Sequence, residues 1–115
     1  RILVEDVPSA LQHLTDILEA MRENRVLEIE YHPFYLEESQ HIQLLPYFVK
    51  LYERRWYVYG PTQENRQIKV YALDRVQRLS ISGQTFRMPK GFSAEEHLAT
   101  SIGITPIRIF RRVVS

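Results

Sequence analysis

Cysteine is absent from this 115-residue chain, which excludes a disulfide framework, a thiolate zinc site and a thiol nucleophile. Glycine is scarce, with four residues at 60, 83, 91 and 103. They are too scattered to write a phosphate-cradling loop or a dinucleotide fingerprint. None of the seven serines sits in a nucleophile-elbow setting and no HExxH occurs, so neither a serine triad nor a zinc protease can be drawn. No apolar run approaches the ~18 residues of a membrane-spanning helix. An excess of either charge is missing too, since 15 Lys+Arg stand against 14 Asp+Glu. These absences lead us to expect no enzyme, no cofactor, no metal and no membrane partner.

With 44% hydrophobic and 25% charged residues, the composition is that of an ordinary globular domain of one core. The chain opens on Arg1 rather than Met, and we expect a piece of a longer protein. Near-neutrality in total hides a split along the chain. Residues 1–49 carry three basic side chains against nine acidic, a net of −6, whereas residues 50–90 carry nine basic against three acidic, a net of +6. Two readings follow: a basic surface offered to an anionic partner, or an acidic first third packed beside the basic middle.

Periodicity places the elements. Leu11, Leu14, Ile17, Leu18 and Met21 recur at helical steps after Pro8, with Ser9 and Gln12 at a capping-box spacing. Asn24 is a terminator. From there the period becomes two. Strands are expected over 26–32, 41–52, 55–59, 66–73 and 76–82, the second bent where its apolar phase shifts at Leu44-Leu45 and Pro46 removes a donor. The 34–40 stretch reads as a loop, Gly60-Pro61 as the start of a polar turn, and Ser82-Gly83 as the close of a strand. Ser93 caps a short helix over 93–100, and a last strand runs over 106–114. Short strands joined by tight turns give a mainly β (α+β) fold: a small five-stranded Sm-like or SH3-like barrel with an N-terminal helix and a short C-terminal helix.

His32 and His41 flank Glu37 and Glu38, but their spacing matches no zinc pattern, and solvated loop residues are expected. Glu95-Glu96-His97 reads as a solvated helix face. The more pointed feature is the interleaving of rings and cations: Tyr47, Lys50, Tyr52, Arg54, Arg55, Trp56, Tyr57, Tyr59, Lys69, Tyr71 and Arg75. On a strand, Arg55, Tyr57 and Tyr59 share one face, and Lys69 and Tyr71 share one on theirs. Such side chains stack on bases and neutralise phosphate; they are also ordinary half-exposed strand residues around a Trp56–Val58 core.

Arg55-Trp56-Tyr57-Val58, followed by Tyr71-Ala72-Leu73-Asp74-Arg75-Val76, resembles the WYL domain of bacterial helix-turn-helix transcriptional regulators. Ile29-Glu30-Tyr31 and Leu45-Pro46-Tyr47 precede these in the family's order. Phe86, Phe92 and Ile102-Gly103-Ile104 follow, so the likeness spans about residues 26–104. The name-giving tripeptide reads Trp-Tyr-Val here, and Ala72 stands where many relatives carry a further basic residue.

The resemblance implies a connecting helix over 1–25, the barrel with its short helix over 26–104, and the truncated start of a C-terminal extension over 105–115. It implies a cytoplasmic ligand-sensing domain that takes a nucleotide or single-stranded nucleic acid. Duplex DNA would be bound through an N-terminal module not present in this sequence. Its pocket maps onto Tyr31, Tyr47, Arg55, Tyr57, Lys69 and Arg75, to which the interleaved Lys50 is added, with Trp56 and Val58 in the core and Asp74 in the turn. Arg75 has a plainer alternative, a surface pair with Asp74 or Glu53. A homodimer, with the domain serving as an interaction module and no small ligand, is the alternative function.

Overall fold

The computed structural model describes residues 7–101 and 108–111. Along the chain these form α1 (Val7–Glu23), β1 (Arg25–Tyr31), β2 (Gln40–Leu44), β3 (Phe48–Tyr52), β4 (Arg55–Thr62), β5 (Asn65–Ala72), a 3-10 turn (Leu73–Arg75), β6 (Val76–Thr85), α2 (Ala94–Ser101) and β7 (Arg108–Arg111). The strands make one curled antiparallel sheet in the order β6-β1-β2-β4-β3-β7, with β5 along the other edge of β4.

The bend expected at Pro46 divides that strand into β2 and β3, yet the ladder continues across it. The N–H groups of Leu45 and Tyr47 donate to Pro61 O and Tyr59 O, each at 2.8 Å, while Pro46 between them has no donor to lose. Counted once, this bent strand makes β1, β2–β3, β4, β5 and β6 the five strands of the expected barrel, which here form a curled half-barrel sheet. The bend also explains Gly60. A Cβ there would lie 1.8 Å from Leu45 O, so only glycine lets β4 pass beneath the corner. Gly60 and Pro61 therefore sit inside β4, and the turn falls later, at Gln63-Glu64. Gly83 likewise lies within β6, which runs on to Thr85.

The apolar stripe of α1 lies across the concave side of the sheet. Ile17, Ala20 and Met21 are fully buried there and Leu14 packs beside them, against Leu27, Ile29, Leu44, Val49, Val58 and Leu73. The helix expected as a connector is thus part of the barrel's core, while Leu11 and Leu18 of the expected stripe face outward. The helix begins at Val7, which places Ser9 in the first turn rather than at its cap. Asn24 ends it in the left-handed conformation, at φ 54°.

A second cluster forms on the convex side. Tyr47, Phe48, Ala94 and Leu98 are buried among Tyr59, Ile68, Phe86, Met88 and Phe92, so α2 covers the backs of β3, β4 and β5. Ser93 caps α2 as expected, its Oγ accepting from the Glu96 N–H at 3.2 Å. β7 extends the sheet along β3. Ile102-Gly103-Ile104 and the two ends of the expected last strand lie outside the described residues. No helix among the described residues is long and apolar enough to cross a membrane.

Candidate functional site

The register of three strands builds the site. β3 pairs Lys50 with Tyr57 and Tyr52 with Arg55, and β4 pairs Tyr57 with Ala72. Antiparallel pairing carries side chains straight across a sheet, so the convex face carries Lys50, Tyr57 and Ala72 in one row. In the next row come Tyr52, Arg55 and, one step past the end of β5, Asp74. That register explains how Arg55 reaches Asp74. Arg55 Nε donates to Asp74 Oδ2 at 2.8 Å and Arg55 Nη2 donates to Asp74 Oδ1 at 2.7 Å, a bidentate pair. The guanidinium beside it holds the Asp74 carboxyl below the usual carboxylate range, and Arg75 acts on it in the same direction.

Beside this pair stands the β1–β2 loop. His32 N–H donates to Arg75 O at 3.1 Å and Leu36 N–H donates to Pro33 O at 3.2 Å. The loop is closed on itself by His32 Nε2–H donating to Leu36 O at 2.8 Å. This brace leaves Phe34 and Tyr35 at the tip with 75% and 71% of their surface exposed, their rings edge to face at 5.6 Å. The Arg75 guanidinium lies over Phe34, 5.3 Å from the ring centre. The 3-10 turn thus gathers two guanidinium groups, one carboxylate and two open aromatic rings into a rim. Large rings are normally covered, and a hydrogen-bonded loop that presents two beside the Arg75 guanidinium offers a stacking platform next to an anion site.

The seven expected residues divide. Arg55 and Arg75 stand on the rim. The pair considered for Arg75 with Asp74 is made by Arg55 instead. Tyr31 lies beneath, buried, its hydroxyl accepting from the Ala72 N–H at 3.0 Å and its ring 4.9 Å from Tyr71; burial pushes its phenol up. Tyr57 is half-buried along the convex face, with the Arg55 guanidinium 5.5 Å from its ring centre. Lys50, in the same row, is 9% exposed, its Nζ 5.0 Å from the Tyr52 ring centre and 5.6 Å from that of Tyr59.

Tyr47 belongs to the second apolar cluster, stacked on Phe86 and edge-on to Phe92. Lys69 faces the concave side with Tyr71, opposite to Arg55 and Tyr57. There it lines a polar cleft of about 540 Å³ between β2 and β5, shared with Gln40, Gln43, Gln63 and Asn65. Sequence reasoning missed Phe34 and Tyr35, which sit in a stretch without period. Their signal was two adjacent rings in a short polar loop after Pro33.

Ion pairing bears on the charge split. Arg22–Glu19, Arg25–Glu23 and His41 with Glu28 and Glu30 lie within the acidic third, and Arg55–Asp74 lies within the basic middle. Among the described residues no ion pair joins the two segments, although β1 pairs with β6 and sets Glu30 opposite Arg78. No three His, Asp or Glu side chains among them converge as a metal-binding group.

A curled half-barrel of this order, with its Trp-Tyr-Val strand and Leu-Asp-Arg-Val turn, defines a class, and comparison with known proteins agrees. The WYL domain family model matches residues 12–81, and the chain belongs to that family. Val58, third of the tripeptide, is fully buried, where an aliphatic side chain is what the core requires. Among solved structures, proteasome accessory factor B/C (PafBC) of Arthrobacter aurescens shares the fold, with a TM-score of 0.71 at 22% identity over 87% of this chain. This chain spans 16% of that one. No curated protein matches.

Proposed function

We propose that this chain is the ligand-sensing, non-catalytic domain of a bacterial transcriptional regulator, and that its ligand is a nucleotide or single-stranded nucleic acid held at the 3-10 rim. The observation that carries the reading is the exposure of Phe34 and Tyr35 beside Arg75, with Arg55 held to the neighbouring Asp74. A base stacks on a ring while its phosphate meets a guanidinium, and neither interaction requires a particular sequence. Family membership supports the regulatory role. Duplex DNA would be engaged by a separate module in the cytoplasm. For the ligand to switch that module, it must bind one arrangement of the two better than another.

Titration of labelled single-stranded oligonucleotides by fluorescence anisotropy tests the reading. Arg75→Ala is expected to weaken binding several-fold and to flatten the dependence on salt, because each phosphate contact releases counterions. Unchanged affinity in Arg75→Ala, or binding indifferent to salt, counts against it.

The dimerisation reading draws on Leu11 and Leu18, which α1 leaves exposed two turns apart. Sedimentation of the chain at two ionic strengths without ligand addresses it. A stable dimer with no nucleic-acid affinity would favour that reading.

A further inference from the structure

We infer that Asp74 is a built-in competitor for the ligand's phosphate, which closes the rim to weak anions and favours a terminal phosphomonoester over the internal phosphodiesters of a strand. This inference rests on the nucleotide-binding reading of the same site.

The Asp74 carboxylate occupies the Nε and Nη2 donors of Arg55 at 2.8 and 2.7 Å, the edge of the guanidinium that phosphate oxygens take when bound in pairs. The pair is short and bidentate but open to water: its side chains are 43% and 49% exposed, and solvent screening keeps it far weaker than a buried pair. Asp74 can therefore leave Arg55 without disturbing the core, since neither partner belongs to the buried clusters.

Charge decides what can displace it. The rim carries two guanidinium groups and one carboxylate. A phosphodiester brings one negative charge, must break the Arg55–Asp74 pair, and then faces the displaced carboxylate. A terminal phosphate brings about −1.5 to −2 at pH 7 and three acceptor oxygens. It doubles the attraction to Arg55 and Arg75 against the same fixed cost of opening the pair. Phe34 lies under Arg75, the residue after Asp74, with Tyr35 against it, and these rings are the ones offered to bases next to that phosphate.

The test measures binding of one single-stranded DNA 8-mer, with a 5′-phosphate or a 5′-hydroxyl, to the 115-residue chain and to Asp74→Asn. Asp74→Ser serves as a second variant, and thermal melts confirm that both fold. Wild type is expected to favour the phosphorylated 8-mer about five- to tenfold at pH 7.5, a preference that fades below pH 6 as the terminal phosphate dianion is protonated to the monoanion. Both variants are expected to bind both 8-mers about two- to fivefold more tightly, the range set by one lost exposed pair.

Equal affinity of wild type for the two 8-mers overturns the preference. Unchanged binding in both variants overturns the competition, and weaker binding overturns it while showing that Asp74 holds Arg55 in place for the ligand. If neither 8-mer binds any of the proteins, inorganic pyrophosphate decides, read from the Arg55 Nε–H resonance. A response at about two- to fivefold lower concentration in Asp74→Asn keeps the competition and removes the nucleic-acid reading. The same response in both proteins, or none in either, removes both.

Discussion

The hydroxyl of Tyr31, at the end of β1, accepts a 3.0 Å hydrogen bond from the backbone N–H of Ala72, at the end of β5. That contact ties the first strand of the barrel to the start of the 3-10 turn and satisfies a donor that no strand reaches. Tyr31→Phe keeps the ring against Tyr71 but orphans the buried N–H. It is expected to destabilise the fold by about 1–3 kcal/mol. Urea denaturation measures the loss, and an unchanged midpoint would mean that water replaces the hydroxyl.

Gly60→Ala should be far more damaging than its one added methyl group suggests. The new carbon would fall 1.8 Å from Leu45 O, a backbone atom at the corner where β2 becomes β3. Relief requires moving that corner off β4, and the cost is expected to reach about 3 kcal/mol or more. Gly83→Ala is the control, since a Cβ there meets nothing within 4 Å. Thermal melts of the two variants should differ sharply.

His41 bridges two carboxylates across the β1–β2 ladder, with Nε2 2.7 Å from Glu28 Oε1 and Nδ1 3.4 Å from Glu30 Oε2. Hydrogen bonding to Glu28 and then Glu30 raises the imidazole above its ordinary value of 6.5. Hydrogen bonding from Gln43, and then from His41, lowers the Glu28 carboxyl below 4.5. A raised histidine stabilises fully below pH ~6.5 and loses that contribution as pH rises through its folded value. A lowered glutamate stabilises above its unfolded value and loses its share as pH falls through the folded one. The melting temperature of wild type should therefore exceed that of His41→Gln most near pH 5–6, with the gap closing toward pH 8. A gap independent of pH would show that the charge on His41 is irrelevant to it.

Phe34→Ala is expected to leave stability within about 0.5 kcal/mol, because so exposed a ring contributes little to the core. On the proposed function it should weaken single-strand binding about tenfold, the effect of losing one stacked base. Tyr35→Ala should act in the same direction. Lys69→Ala, on the concave face near the β2–β5 cleft, should change affinity less than either. Anisotropy titration of the three variants tells whether the rim or the cleft receives the ligand.

Much of the fold was legible in the chain because it rests on local patterning. Period two marks β1, β4 and β5, the Leu14–Ile17–Met21 spacing marks the buried face of α1, and Pro46 marks the corner. Three misplacements share one cause. Gly60, Pro61 and Gly83 read as breakers because glycine and proline interrupt most strands. In this fold a crossing backbone needs the missing Cβ of Gly60, while Pro61 keeps its carbonyl in the ladder by accepting from Leu45. No local window contains that crossing, since Leu45 and Gly60 lie fifteen positions apart.

The candidate site was legible only in composition. Interleaved rings and cations pointed to an anionic, ring-bearing partner, and Arg55 and Arg75 both act on Asp74. Alternation could not tell which face of each strand the helices would cover. With α1 on the concave side and α2 on the convex one, Tyr31 and Tyr47 are drawn into two different cores. Lys50 is enclosed between tyrosines, and Lys69 is turned away from Arg55.

By itself, then, the sequence determined the class of fold, its element order and the sign of the basic segment, all of which follow from residues near one another in the chain. Only the tertiary structure decided that Asp74 answers Arg55 rather than Arg75, and that Phe34 and Tyr35 stand open beside them. Those relations depend on strand register and on one loop closing over a distant turn, and hydrogen-bonded pairing between far-separated segments is what sets both.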